Sequence, residues 1–242
     1  MGLNNYLTDI AFIKKREYEL NSDKNSSRLL GAAFLLQAVA SLISTLMLTP
    51  LIVPGNIIES MTNISNNALQ MRVSIVGEVI AVIGIVILGG LLYATLKNQD
   101  GKIALVALGL YLVVAAIIAV SRIASFSLLR ISQESVIAGH PVYLQTLGNL
   151  FYELQEWGYF LHMLPYTLGA TMFYYLFYKS GLTPRGLILF GLIAAPVAFL
   201  GALIELFGYE VPMFVFLPNL PFDLGMGLWL MVKGFKDDSG TK

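Results

Sequence analysis

Residues 73–96 read VSIVGEVIAVIGIVILGGLLYATL, an apolar run in which Glu78 is the one charged residue. A helix needs about 20 apolar residues to cross the hydrocarbon core of a bilayer, so this run is long enough for one crossing. Soluble domains carry about 25% charged residues, whereas this chain of 242 residues is 12% charged and 57% hydrophobic. The sequence therefore predicts an integral membrane protein.

Runs of the same kind recur along the chain. Six of them, each close to the length of one crossing, lie at residues 29–53, 73–96, 103–129, 154–178, 187–207 and 213–232. They predict an all-α fold, a polytopic bundle of six transmembrane helices. We expect this membrane domain to occupy residues 29–235, followed by a cytoplasmic tail at 236–242.

The basic residues fall on alternate connections between these runs. Cytoplasmic loops carry an excess of Lys and Arg. Twelve of the 15 such residues lie in the N-terminal segment, the second–third and fourth–fifth connections and the C-terminal tail. Arg72, Arg122 and Arg130 are the other three. We therefore expect both termini to be cytoplasmic.

The N-terminal segment, residues 1–28, has an apolar periodicity of its own. Leu3, Tyr6, Leu7 and Ile10 recur at helical spacing ahead of a basic cluster, which favours a short amphipathic helix on the cytoplasmic membrane surface. The polar residues that follow would link this helix to the first span. A disordered tail is the alternative interpretation.

Several functional classes find no support in the composition. A net charge of zero gives no basic surface for nucleic acid, and the lack of cysteine excludes disulfides and thiolate metal sites. We find no phosphate loop, nucleophile elbow or His-Glu-x-x-His motif. Glu153, Glu156 and His162 lack the Glu-x-x-His spacing of bundle metal sites. We therefore expect no catalytic residue, metal site or cofactor.

Four ionisable side chains lie at a similar depth in four different predicted helices. Glu78, Arg122, His162 and Glu205 are about 25 to 30 Å from the nearest cytoplasmic cation at about 1.5 Å per residue, near the outer boundary of the hydrocarbon. Ionisable groups in a membrane usually face a cavity or a partner. This favours a polar pocket open to the outside, with Arg122 paired to Glu78 or Glu205. The alternative is that all four lie among the headgroups, where long side chains reach water.

A second polar feature lies inside the sixth run, where residues 218–225 read PNLPFDLG. Asp223 is about 15 Å from Lys233 along a helix, close to the middle of the membrane. The lipid headgroups are too far from the middle of the membrane to account for this acid. We therefore expect it to face a polar site in the bundle.

The two prolines of this stretch predict a break in the sixth span. Pro221 lacks a backbone donor, and Pro218 disfavours helix in the residue before it. We expect a short inner helix with Asn219 as its N-cap, and irregular backbone over roughly residues 209–217 beside a cavity. The alternative is a simple proline kink, with Asp223 hydrogen-bonded to a neighbouring span.

Two segments carry a resemblance to a known family. They are YLFYKSGLTPRGLILFGLIA (residues 175–194) and FDLGMGLWLMVKGF (residues 222–235). These resemble the bacterial membrane proteins grouped as domain-of-unknown-function family 4386, which typically carry a Ser-Gly-x-x-Pro-Arg-like connection and an acid six residues before Trp-Leu. Asp223 matches that acid, and the Arg-Leu-Leu-Gly at residues 28–31 fits too. The resemblance covers residues 28–235 and implies six spans in a bacterial inner membrane, with no established activity.

These observations leave three classes of function open. The first is a membrane protein that binds or transports a small molecule or lipid through an outward-facing polar pocket. The second is an accessory subunit that binds a partner helix or another copy of itself, and the third is an intramembrane enzyme. The expected partner in every case is the lipid bilayer, with no nucleic acid. The candidate binding residues of the first class are Asp223, Asn219, Arg122, Glu78, Glu205 and His162.

Overall fold

The computed structural model describes the backbone of residues 2–236 and the side chains of residues 24–236. The expected amphipathic face of residues 3–13 and almost all of the expected tail therefore lie outside the described side chains. Every regular element of the described backbone is helical. The predicted all-α class is confirmed.

Seven α-helices, which we number in chain order, make up most of the described backbone. They are α1 (Gly2–Leu48), α2 (Ile57–Asn66), α3 (Ala68–Leu96), α4 (Gly101–Ile137), α5 (Val142–Ser180), α6 (Arg185–Leu206) and α7 (Asn219–Val232). Two short 3-10 helices, Thr49–Leu51 and Met213–Val215, follow α1 and precede α7.

Helix α1 is longer than the sequence pattern indicated. Its backbone continues without a break through residues 21–28, where we expected a linker between a surface helix and the first span. Residues 3–30 contain neither proline nor glycine, so no residue in this segment strongly opposes the helix. A polar composition alone did not end it.

Five helical segments are long and apolar enough to cross a membrane. They are Lys24–Leu51, Ala68–Leu96, Gly101–Ile137, Arg185–Leu206 and Met213–Val232. They coincide with five of the six predicted runs and show a multi-pass membrane protein. The remaining run, residues 154–178, lies in α5, where Glu156, His162 and several tyrosines make the helix less apolar.

The core of the bundle is an aromatic cluster between the central helices. The Tyr111 and Phe173 rings meet edge to face with their centroids 5.3 Å apart. The Tyr174 and Phe222 rings are 4.4 Å apart. Helix α4 packs on α3 and α5, and α1 packs on α3 and α7. This cluster therefore joins α4, α5 and α7 beneath the cavity described below.

Helices α1 and α7 approach each other at two glycines. A Cβ atom on Gly31 would lie 2.7 Å from the Gly227 carbonyl oxygen and 2.8 Å from the Met231 amide nitrogen. A Cβ atom on Gly227 would in turn meet the Leu35 side chain at 2.8 Å. Small residues allow such backbone contact, since lipid supplies no hydrophobic force between helices.

The outer half of the sixth run is irregular, as the prolines predicted. Helix α7 has 14 residues and therefore spans only about 21 Å. The N-cap role expected for Asn219 is wrong, because Pro218 caps α7 and Asn219 is its first helical residue. Pro218 already has near-helical backbone angles, which moves the cap one residue earlier. The Asn219 Nδ2 instead donates to the Phe216 carbonyl oxygen at 3.2 Å.

Candidate functional site

A cavity of about 510 Å³ opens toward the end of the bundle where α1 finishes. Helices α1, α3, α4, α5 and α7 supply its walls, together with irregular backbone next to the two 3-10 helices. Ligand-binding pockets usually have volumes of about 300–1,000 Å³. The cavity is therefore large enough for a small molecule.

The deep end of the cavity is built around Asp223 of α7. One carboxylate oxygen, Oδ2, accepts a hydrogen bond from Gln37 Nε2 at 2.9 Å and another from the Tyr166 hydroxyl at 2.8 Å. Only 5% of Asp223 is exposed, compared with 6% of Gln37 and 8% of Tyr166. Three helices, α1, α5 and α7, thus hold this carboxylate in one orientation.

The second oxygen of the same carboxylate is arranged differently. Asp223 Oδ1 is buried and has no hydrogen-bond partner within residues 24–236. The Asn219 side chain, one helical turn earlier, lines the cavity beside it. A buried polar atom without a partner is costly. A hydrogen-bond donor placed at this oxygen would therefore stabilise the site.

A second polar cluster lies nearer the cavity mouth. Glu78 of α3, Arg122 of α4 and Glu156 of α5 all line the wall there. The Ser41 hydroxyl donates to Glu78 Oε1 at 3.4 Å. The buried Nε of Arg122 has no hydrogen-bond partner in the described part of the chain. This cluster thus combines two carboxylates with one guanidinium group.

His162 is tied to its own helix. Its Nδ1 lies 3.2 Å from the Gly158 carbonyl oxygen, and its ring packs edge to face on Tyr159 with the centroids 5.3 Å apart. Gly158 in turn packs against Ser121, because a Cβ atom on Gly158 would overlap the Ser121 hydroxyl. These contacts give His162 a structural role in the cavity wall. Within the described range, no three His, Asp or Glu side chains group as a metal site would require.

The structure brings together most of the candidate residues named from the sequence. Asp223, Asn219, Arg122, Glu78 and His162 all line the one cavity. Glu205 stands apart, because it lies near the end of α6, and the lining contains no residue of that helix.

Two residues that donate hydrogen bonds to Asp223, Gln37 and Tyr166, were not predicted from the sequence. Gln37 carried a usable signal, since a glutamine within the first apolar run is a costly group that needs a partner. Tyr166 carried none, because tyrosines occur throughout the fourth run. Gln155, in the fourth run, carried the same signal as Gln37, whereas Ser41 is small and neutral and was hard to identify.

The cavity is amphipathic, with a negative charge excess. Of the residues that the structure describes, three acids line it, namely Asp223, Glu78 and Glu156, and Arg122 is the one Lys or Arg. The mouth is mostly apolar, formed by Leu48, Ile52, Pro54, Met213, Phe216 and Leu217. Such an arrangement suits a molecule with a polar, positively charged end and an apolar end.

Comparison with known proteins gives a family match. The sequence model described as Domain of unknown function (DUF4386) matches residues 29–234, which contain all the cavity-lining residues. No curated protein and no solved structure matches the chain.

Proposed function

Because this chain belongs to the family described as Domain of unknown function (DUF4386), whose name states no activity, we propose a function from the geometry of its cavity. The protein binds a small molecule that enters from the outer face of a bacterial inner membrane. The observation that carries this proposal is the buried carboxylate of Asp223 at the deep end of the cavity, one oxygen of which has no hydrogen-bond partner among residues 24–236.

The proposal includes a topology of six spans with both termini in the cytoplasm. Helix α5 has 39 residues, about 58 Å of helix, and packs between α4 and α6. The short connections on either side of it make the three helices antiparallel. Since α4 and α6 are apolar enough to cross, α5 crosses with them, and its residues Gln155, Glu156 and His162 line the cavity. The excess of Lys and Arg in the connections at the opposite end of the bundle supports an outward-facing cavity mouth.

Cysteine labelling tests this topology, because the chain has no cysteine of its own. Cysteines placed at Asn66 and Ala138 should react with a membrane-impermeant maleimide in intact cells. Cysteines at Asn98 and Gly186 should react only after permeabilisation, and all four positions are exposed. Labelling of Gly186→Cys on the same side as Ala138→Cys would show that α5 does not cross. Labelling of the Asn98 and Gly186 positions in intact cells, with protection of the Asn66 and Ala138 positions, would show the opposite orientation.

A water-filled cavity should also admit a small reagent from outside. Ala81 lines the cavity although only 1% of it is exposed. Ala81→Cys in intact cells should therefore react with impermeant methanethiosulfonates, both the anionic ethylsulfonate and the cationic trimethylammonium reagent. Ala202 is the matched control, because it is equally buried at 0% exposure, lies at a similar depth and does not line the cavity.

The comparison of these two cysteines has a clear outcome in each direction. Fast modification of Ala81→Cys with little modification of Ala202→Cys supports an open cavity. Equal, slow modification of both would show that this end of the bundle is closed to water, and the binding proposal would fail with it.

A further inference from the structure

We propose that the deep end of the cavity is a subsite for a protonated primary amine, and that the molecule bound is an amphipathic amine. This inference rests on the proposed binding function and names the ligand class. The ammonium group would donate a hydrogen bond to Asp223 Oδ1, and the apolar part would lie toward the mouth. Free alkylamines and the ethanolamine headgroup of a phospholipid share this chemistry.

The hydrogen bonds of Asp223 leave one acceptor position for a ligand. An ionised carboxylate only accepts hydrogen bonds, and Gln37 and Tyr166 both donate to Oδ2. These two donors hold the side chain in place while Oδ1 stays buried without a partner among the residues that the structure describes. The Tyr174 hydroxyl also lies beside this carboxylate, and the donor that we propose for Oδ1 is the ammonium group of the ligand.

The charges of the cavity favour a cation in that position. Asp223 receives its two hydrogen bonds from neutral groups, an amide and a hydroxyl. Among residues 24–236, Arg122 is the one Lys or Arg of the lining, and two further acids, Glu78 and Glu156, line the same cavity. A buried charge is stable when it is paired and hydrogen-bonded. A protonated amine supplies both the charge and the donor.

The neighbouring groups suit an ammonium ion better than a metal ion or a quaternary amine. Asn219 lines the same end of the cavity, and its Nδ2 is used by the Phe216 carbonyl. Its side-chain oxygen is therefore the natural second acceptor. The Tyr166 ring also lines this end, and aromatic rings attract organic cations. A quaternary ammonium has no N–H for Asp223 Oδ1, and Ca²⁺ or Mg²⁺ would need six or more oxygen ligands.

The mouth of the cavity indicates the other half of the ligand. Leu48, Ile52, Met213 and Leu217 line it, and Met213 and Leu217 are exposed at 68% and 55%. These residues belong to or adjoin the irregular segments after α1 and before α7. An apolar group of the ligand can therefore remain among apolar side chains while its amine lies beside Asp223.

The test compares four six-carbon probes on the full-length protein in nanodiscs of phosphatidylcholine, which has no primary amine. The probes are hexylamine, hexyltrimethylammonium, hexanol and hexanoate. Apparent Kd values follow from the rise in melting temperature with probe concentration. Hexylamine should bind about tenfold or more tightly than each other probe, because one charged hydrogen bond is worth about that factor.

Two variants link this preference to the proposed atom. Asp223→Asn keeps an oxygen for the Gln37 and Tyr166 donors but removes the charge, so hexylamine should bind to it no better than hexanol. Glu134→Gln removes an exposed acid that does not line the cavity, so the preference for hexylamine should persist. If Asp223→Asn fails to fold, the comparison of the four probes on the unmodified protein still decides the question.

The outcomes separate this inference from the function on which it rests. Equal binding of all probes would keep the cavity as a binding site and overturn the amine subsite. Preference for hexanoate, or equal binding of the primary and quaternary amines, would overturn it too. Binding of no probe would overturn the binding function itself. Loss of hexylamine binding in phosphatidylethanolamine nanodiscs would identify a lipid headgroup as the competing amine, and unchanged binding would identify a free amine.

Discussion

Replacing Gly31 with alanine should lower the melting temperature of the protein by about 2–12 °C. The added methyl group would lie within 3 Å of the Gly227 carbonyl oxygen and the Met231 amide nitrogen. Both are backbone atoms of α7, so no side-chain rotation can relieve the contact. Overpacking of this kind costs about 1–3 kcal/mol, and one kcal/mol shifts the melting temperature of a chain of this size by about 2–4 °C.

Gly90→Ala is the matched control for this substitution. Gly90 also lies inside a long helix, α3, but a Cβ atom there would have nothing within 4 Å. Alanine is favoured over glycine in a helix by about 1 kcal/mol, so Gly90→Ala should leave the melting temperature unchanged or raise it. Thermal unfolding followed by gel filtration in the same detergent measures both variants. Equal losses would show that α1 and α7 do not meet at Gly31.

Gly158→Ala should have an effect of similar size inside the cavity wall. A Cβ atom on Gly158 would overlap the Ser121 hydroxyl and lie 2.7 Å from Ser121 Cβ. The Ser121 hydroxyl is held by a 2.9 Å hydrogen bond to the Ile117 carbonyl oxygen, and rotating it away would not move Cβ. We therefore expect α4 and α5 to separate locally, with a loss of about 1–3 kcal/mol.

Combining Gly158→Ala with Ser121→Gly should restore part of this stability. The two substitutions exchange which helix carries the Cβ atom, so the double variant should be more stable than the sum of the single losses predicts. Coupling between residues in contact is typically about 0.5–3 kcal/mol. A double-mutant cycle of melting curves measures it. Strictly additive losses would mean that α4 and α5 do not touch at this pair.

The position of a residue along its helix could be predicted from the sequence far better than the direction in which its side chain points. Counting residues from a basic anchor placed Glu78, Arg122, His162 and Glu205 in one layer, and the first three line the same cavity. Glu205 has the same depth and lies on α6, which the cavity does not reach. Depth follows from the constant rise of a helix, whereas direction depends on which helices are neighbours.

The dependence on neighbouring helices also explains the other differences between the structure and the sequence-based expectations. The break before α7 followed from local chemistry, since Pro218 and Pro221 act on their own backbone. The partners of Asp223 did not, because Gln37 lies 186 residues away and Tyr166 57 residues away. The fourth run was predicted to be a span from its length, and no sequence signal accounted for its polar residues, of which Glu156 and His162 line the cavity.

The bond between Gln37 and Asp223 also sets an order of events during biosynthesis. Gln37 leaves the ribosome 186 residues before Asp223, which is roughly 10 to 40 seconds at about 5–20 residues per second. An aspartate at the centre of a span opposes insertion by about 2.5–3.5 kcal/mol. Both of its donors, on α1 and α5, are already synthesised when α7 arrives. During synthesis, Gln37 and Tyr166 can therefore bind the Asp223 carboxylate of α7 before any ligand reaches the cavity. A nascent chain stalled before residue 219 would expose these two donors without the carboxylate that joins them.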